Sequence, residues 1–260
     1  MTAAPSLRRL VAGELHKLAT TRLWLCLLLA STALTAAFAG LDIAFADSPD
    51  TTSPPLWTPG GQRTLFSVGY GGAAALVAVL AAVGLTGEYR HRTATATYLA
   101  APHRGRVVAA KLAVYPLVGA GYAAVCIAVT AAIALPWLAA RGISVPLSGN
   151  GIPATLAGVL AAVALYALLG VGLGALLRDQ VATVVTLLLY FFLAEPVLTR
   201  IPALHTWTTY LPGPAANALT GITLTDRDFL TPWQGGLLLA GYGTALAAAG
   251  ALLTIRRDIT

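Results

Sequence analysis

The chain has 260 residues, of which 57% are hydrophobic and only 10% are charged. Soluble domains carry roughly 25% charged residues, so this composition excludes an ordinary soluble globular protein. The formal net charge is +6. On so apolar a chain, positive charge indicates a defined membrane topology and contact with anionic lipid, not nucleic-acid binding.

Residues 6–20 form the first predicted element, an amphipathic helix. Leucine and valine recur there at steps of three and four residues, while basic side chains such as Arg9 and Lys17 take the other face. This pattern predicts a helix that lies in the headgroup layer at the membrane surface. The alternative is a basic leader that only sets the topology.

Six apolar stretches follow, each of about twenty residues or more, and a helix of that length crosses a bilayer core of about 30 Å. None shows the alternation of a transmembrane barrel. The first is longer than a signal-peptide core, so we expect it to be retained. We therefore predict an all-α polytopic membrane protein with a single transmembrane domain over residues 1–260. The predicted spans are residues 23–45, 64–86, 107–135, 153–177, 180–198 and 233–254.

Three connections lie on the side of the membrane opposite the termini. The first two, residues 41–62 and 136–152, are rich in proline, glycine or acidic residues, which predicts irregular structure. The third, residues 199–232, is the longest. Its aromatic side chains suit the membrane interface, so we predict a shallow re-entrant or surface helical segment within residues 202–221.

The basic residues favour one orientation. Twelve of the 16 Lys and Arg residues flank the spans on the side of the two termini, and the other four are Arg63, Arg141, Arg200 and Arg227. The positive-inside rule therefore places both termini in the cytoplasm of a multi-pass protein of the cytoplasmic (inner) membrane. The even number of spans agrees with this placement.

A polar segment, residues 88–106, separates the second and third spans on the cytoplasmic side. Residues 94–101 can form two helical turns, with Thr93 as the cap and Pro102 as the stop. A short helix between charge clusters is typical of a protein-docking element. The alternative is a solvated charge run that only sets the topology. The charged candidates for docking are Glu88, Arg90, Arg92, Arg104 and Arg106.

No catalytic or nucleotide-binding motif is recognisable in the sequence. The glycines around Gly170 lack the Lys-Ser/Thr of a phosphate loop, and their spacing to Gly174 instead favours close approach of two helices. The histidines and carboxylates form no metal-ligand or catalytic spacing. We therefore predict that this chain is not an enzyme and binds no metal or other cofactor.

Glu195 is the acidic residue that lies well inside an apolar stretch. Ionisable groups at such a depth are costly and often functional, which favours a role in substrate binding or gating. Two alternatives remain open. Glu195 can reach the headgroups from the end of its span, or it can pair with Arg200, Asp226 or Asp228.

Taken together, these segments resemble the permease subunits of bacterial ATP-binding-cassette exporters of the second type. The resemblance rests on Glu14, Lys17 and Trp24 at the start, on residues 88–93 and 99–104, and on the long segment before the last span. It covers essentially the whole chain. It implies an elbow helix at residues 6–20, a coupling helix within residues 88–106 and a re-entrant element at residues 202–221. No large outside domain is inserted, which argues against the lipoprotein-release and cell-division branches.

The resemblance also implies partners. Family permeases work as pairs, so we expect a second copy or a paralogue, together with separate ATPase subunits that bind ATP and magnesium. Residues 88–106, supported by Arg178 and Asp179, would transmit ATPase motion to the spans. Small residues in the second and fifth spans would line an apolar passage for an amphipathic or hydrophobic drug, peptide or lipid-like molecule. They are residues 73–75, Ala182, Thr183 and Thr186.

Two other classes of function remain. An autonomous secondary carrier or channel should have polar groups near the middle of the membrane and often an internal repeat. A membrane-embedded enzyme would need a catalytic cluster.

Overall fold

A computed structural model describes residues 7–48, 53–90, 104–222 and 230–257, and every regular element within these ranges is a helix. Six helical stretches are long and apolar enough to cross a membrane. The predicted all-α membrane fold with six spans is therefore confirmed.

The helices follow one another in an up-and-down order. They are α1 (Leu7–Thr20), α2 (Leu23–Ala44), α3 (Pro59–Arg90), α4 (Arg104–Ala140) and α5 (Ile152–Leu177). Next come α6 (Gln180–Leu189), a π-helical turn (Tyr190–Ala194) and α7 (Glu195–Arg200), which together form one apolar stretch. A 3-10 turn (Pro202–Leu204), α8 (His205–Thr208), α9 (Pro212–Thr220) and α10 (Pro232–Arg257) complete the order.

The bundle has two ends. The α1 end carries Thr20, Arg90, Arg104 and Leu177, and the far end carries Ala44, Pro59, Ala140 and Ile152. At its centre lie α5 and α3. Within their most apolar stretches, 61% of α5 and 56% of α3 is buried, against 17% of α2 and of Gln180–Arg200. The two outer helices therefore offer most of their apolar surface to lipid or to another chain.

Small residues let α5 approach its neighbours closely. A Cβ atom at Gly170 would lie 2.1 Å from the carbonyl oxygen of Ala78 on α3, and one at Gly158 would lie 2.1 Å from that of Leu219 on α9. Both distances are far below van der Waals contact, so neither position accepts a larger residue without moving a helix. Helices in lipid associate largely through such packing. The predicted close approach at Gly170 is confirmed.

Helices α3 and α4 extend beyond the predicted spans. α3 begins at Pro59 because its polar first turn has partners: Gln62 donates to the carbonyl oxygen of Ser144 (3.1 Å) and accepts from Asn150 (2.9 Å). α4 continues through Pro136 to Ala140, so the prediction that residues 136–140 are irregular is wrong. Transmembrane helices tolerate proline because neighbouring groups can satisfy the freed carbonyls.

α1 is helical over almost the predicted range, but its buried face differs from the predicted one. Leu15, assigned to the apolar stripe, is 45% exposed, whereas Glu14 is buried. Leu10, Val11 and Leu18 are half-buried on the same side as Glu14. An acidic residue occupies this face because it has partners on α3 and α4, described below.

The segment before α10 is helical, as predicted, and α9 is part of the bundle. Ala215 and Ala216 of α9 are fully buried against α5 and α10. The hydroxyl of Thr155 on α5 also donates to the carbonyl oxygen of Thr220 (3.0 Å). α9 therefore packs into the bundle through its alanines, and its depth in the membrane stays a prediction.

Replacing Gly170 by Ala should destabilise the protein. The added methyl group must push α3 and α5 apart, and overpacking of this kind costs roughly 1–3 kcal/mol. Gly121→Ala is the matched control, because a Cβ atom there meets nothing within 4 Å. We expect Gly170→Ala to lower the thermal unfolding temperature in detergent and Gly121→Ala to leave it equal or higher. Equal unfolding temperatures for Gly170→Ala and wild type would contradict the packing argument.

Candidate functional site

Four charged side chains meet at the α1 end and join three helices. Lys17 of α1 contacts Glu14 at 2.7 Å and Glu88 of α3 at 2.8 Å. Lys111 of α4 contacts Glu14 at 2.6 Å and Glu88 at 3.0 Å. We call Glu14, Lys17, Glu88 and Lys111 the ionic cluster. Two carboxylates and two ammonium groups make its formal charge zero.

The ionic cluster is mostly buried. The side chains of Lys111 and Glu14 are 1% and 5% exposed, and Glu88 is 12% exposed. The ammonium group of Lys111 also donates to the carbonyl oxygen of Gly84 on α3 (3.1 Å). Buried charges of this kind are tolerated only when they are paired and hydrogen-bonded. The cluster therefore specifies how α1, α3 and α4 meet.

Lys17 forms the exposed edge of the ionic cluster, with half of its side chain in contact with solvent. Partial burial lowers the pKa of Lys17, but hydrogen bonds and attraction from Glu14 and Glu88 outweigh that effect and raise the pKa above its ordinary value. Lys17 therefore stays positively charged at neutral pH.

The structure separates the predicted docking residues. Glu88 points into the ionic cluster, so it is an internal partner and not a free docking charge. Arg90, in contrast, is exposed at the last residue of α3. Arg104 and Arg106 lie in the first turn of α4. Arg92, Thr93 and the predicted helix at residues 94–101 lie outside the described residues.

Arg178 and Asp179 form the turn between α5 and α6. Arg178 closes α5 in a left-handed conformation with φ of 56° and donates to the carbonyl oxygen of Gly250 on α10 (2.8 Å). Asp179 caps α6 by accepting from the backbone N–H of Ala182 (2.7 Å). Both residues thus hold the α1 end of α5, α6 and α10 together.

A cavity of about 610 Å³ lies on the other side of the bundle centre, between α3, α5, α7 and α9. We call it the Glu195 cavity. Among its lining residues are Tyr70, Ala74, Tyr166, Phe191, Glu195 and Arg200. Pockets for small ligands measure about 300–1,000 Å³, with mostly apolar walls and few polar groups. The cavity has the size and the lining of such a pocket.

Glu195 is 8% exposed and enters the cavity from the first turn of α7. One carboxylate oxygen accepts a short hydrogen bond from the backbone N–H of Gly213, near the N-terminus of α9. The π-helical turn just before α7 holds an extra residue and so changes the direction in which later side chains point. The prediction left open a pairing of Glu195 with Arg200. The described residues contain no such ion pair, and Asp226 and Asp228 lie outside them.

The predicted passage residues are only partly brought together. Ala74 and Ala75 line the Glu195 cavity, whereas Ala73 packs in the core with α4 and α5. Thr183 is buried and donates to the backbone of Asp179 (2.6 Å). Ala182 and Thr186 are exposed on the outer face of α6. The passage was predicted to lie between two permease copies, so its lining by α6 stays a prediction.

Sequence reasoning missed the aromatic wall of the cavity and two members of the ionic cluster. The ring of Tyr166 lies between those of Tyr70 and Phe191 in tilted contacts, with ring centroids 6.1 and 5.2 Å apart respectively. In the sequence, aromatic residues within apolar helices look like core residues. The only signal of a site was Glu195, four residues after Phe191. For Glu14, the available signal was an acid within the apolar stripe of α1.

No protein-family model matches the sequence, and no curated protein matches it. Within the part of the chain that the structure describes, no three His, Cys, Asp or Glu side chains are grouped so that they could hold a metal ion. The chemistry that the geometry offers is therefore ion pairing at the α1 end and an acidic, aromatic pocket beyond the bundle centre.

Lys111→Met should destabilise the bundle far more than Lys17→Met. Removing Lys111 leaves two buried carboxylates with one exposed partner, and breaking a buried pair costs about 3–5 kcal/mol. Lys17 is half exposed, so its loss should cost about 0–1 kcal/mol. The double change Glu14→Gln with Lys111→Met leaves the neutral Lys17–Glu88 pair and should recover part of the loss. Denaturant unfolding in detergent measures all three variants, and equal costs for the two single changes would refute a buried cluster.

Proposed function

We propose that the chain is the membrane-spanning permease subunit of an ATP-driven exporter of amphipathic or hydrophobic molecules. One observation carries the proposal: α3 is a single helix that reaches from the ionic cluster and Arg90 to the Glu195 cavity. Tyr70 and Arg90 are about 30 Å apart along it, at a rise of 1.5 Å per residue. A force on the connection after Arg90 would therefore act on the wall of the cavity.

The distribution of charge supports the cytoplasmic placement of the α1 end. Arg9, Lys17, Arg90 and Arg178 lie at this end, while Arg63, Arg141 and Arg200 lie at the far end. By the positive-inside rule, the α1 end and both termini face the cytoplasm of the inner membrane. In this orientation α1 serves as an elbow helix in the headgroup layer, and α9 serves as the re-entrant element.

In the proposed mechanism, two separate ATPase subunits bind ATP and magnesium and close on each other. Their motion reaches the permease through residues 88–106, the proposed coupling segment. The ionic cluster would make α1, α3 and α4 respond as one unit, while Arg178 and Asp179 would couple α5, α6 and α10. A second permease, identical or paralogous, would complete the passage for the exported molecule.

An autonomous secondary carrier is the second candidate, and Glu195 is the observation that favours it. A buried carboxylate beside a cavity is the kind of group that carriers use to bind a coupling ion or a substrate. The two candidates differ in their partners, because only the exporter needs an ATPase subunit for transport.

The proposed topology predicts opposite labelling of two introduced cysteines. In a background with Cys26 and Cys126 replaced by Ala, Ser48→Cys at the far end should react with an impermeant thiol reagent on intact cells. Thr95→Cys, in the connection between α3 and α4, should react only after permeabilisation. Labelling of Thr95→Cys but not Ser48→Cys on intact cells would reverse the orientation.

Arg90→Glu tests the coupling segment better than a change at Glu88, which would also break the ionic cluster. Removing one charge of a partly desolvated ion pair between two proteins weakens their binding by several kcal/mol. Removing an exposed charge at the rim of the contact weakens it by about 0–1 kcal/mol. Arg90→Glu should therefore reduce both the copurifying ATPase and the substrate-stimulated ATP hydrolysis severalfold. Arg9→Glu reverses an exposed charge at the same end and is the control. Transport by the wild-type protein without any ATPase would favour the carrier. Full activity of Arg90→Glu would show that Arg90 does not contact the ATPase subunit.

A further inference from the structure

The Glu195 cavity combines one carboxylate with several aromatic rings. Tyr70, Tyr166 and Phe191 pack against one another at tilted angles and line the cavity together with Glu195. Aromatic faces attract cations most strongly where water is excluded, and rings around a negative charge are a common arrangement for binding ammonium groups. Within the described lining, Arg200 is the basic residue that could compete with an ammonium group for Glu195, and no ion pair joins the two side chains.

A backbone hydrogen bond fixes the orientation of the Glu195 carboxyl group at the cavity wall. The backbone N–H of Gly213 donates to one oxygen, and the positive end of the α9 dipole favours negative charge at that place. Among the described residues, no hydrogen bond or ion pair reaches the second oxygen. That oxygen is available to a ligand at the cavity wall.

The other charge of the described lining, Arg200, lies at the rim. Arg200 is exposed, and Phe192 beside it is 69% exposed, so this side of the cavity is its mouth. Solvent screens an exposed guanidinium strongly, whereas the 8% exposed Glu195 acts in a drier environment. The interior of the cavity therefore favours positive ligands although the two formal charges cancel.

Part of the remaining lining suits an apolar body, beside the polar side chains of Thr199, Thr208, Thr209 and Asn217. Gly71, Ala74 and Ala75 give α3 a surface without large side chains, and Pro196 and Leu230 add apolar contacts. The volume of about 610 Å³ leaves room for more than an inorganic ion. We propose that the Glu195 cavity binds a hydrophobic organic cation, with the ammonium group paired to Glu195 and the apolar body against Tyr70, Tyr166 and Phe191.

As a statement about cargo, this inference rests on the proposed function. As a statement about binding, it rests on the cavity alone. The test therefore uses the purified full chain without any ATPase, in an uncharged maltoside detergent that carries no ammonium group. Isothermal titration calorimetry with benzyltrimethylammonium measures binding, and benzenesulfonate is the anionic control of similar size.

Wild type should bind benzyltrimethylammonium and not benzenesulfonate. Glu195→Gln keeps an acceptor for the Gly213 N–H but removes the charge, and it should weaken binding about tenfold or more. Arg200→Gln should bind with equal or higher affinity. Unfolding temperatures measured for each variant show whether a loss of binding is a loss of fold.

Gly71→Leu gives a second test that leaves Glu195 intact. A Cβ atom at Gly71 meets nothing within 4 Å, so leucine can extend into the cavity without distorting the helix packing. This variant should fold and lose binding, whereas Gly121→Leu on α4 should retain it.

Three outcomes would each overturn the proposal. Wild type does not bind benzyltrimethylammonium, Glu195→Gln binds it as tightly as wild type does, or wild type binds benzenesulfonate and Arg200→Gln abolishes that binding. If no cation binds but the chain still couples to an ATPase, the exporter proposal stands and the cation proposal fails. If a cation binds but no ATPase partner copurifies from cells, the cation proposal stands and the exporter proposal fails.

Discussion

Close backbone contact around α5 is the constraint on which the rest of the structure depends. Lipid offers no hydrophobic driving force for helix association, so helices in a membrane must gain stability from packing and from satisfied polar groups. Gly170 and Gly158 allow α5 to touch α3 and α9 at their backbones. This arrangement leaves α2 and Gln180–Arg200 at the periphery, where their apolar side chains face outward.

The position of α3 connects the two polar features of the molecule. Its α1 end contributes Glu88 to the ionic cluster, and its middle contributes Tyr70 and Ala74 to the Glu195 cavity. Because α3 also packs along α5, neither polar feature can shift far without disturbing the packed centre. A helix of this kind transmits displacement as a rigid element, which is the physical basis of the proposed coupling between the connection after α3 and the cavity.

The two polar features differ in how their charges are balanced. In the ionic cluster each buried charge has at least one opposite partner within 3.0 Å, so the cluster stabilises one arrangement of α1, α3 and α4. Glu195 has a backbone donor but, among the described residues, no basic partner. A buried carboxylate left in this state is costly, and binding of a cation would offset that cost. The first feature is therefore structural, and the second is suited to a ligand.

The sequence alone determined the six spans, because spans depend on local apolar length, and it singled out Glu195 and the glycines around Gly170 by their chemical contrast with an apolar context. It could not show that Glu14 and Lys111 meet, since 97 residues separate them, nor that Glu88 faces inward while Arg90 is exposed. Likewise, Tyr70, Tyr166 and Phe191 look like ordinary core residues until the chain folds. Only the tertiary structure decided these matters, because partners and cavity walls come from distant helices whose relative rotation is fixed by close packing and not by any local pattern.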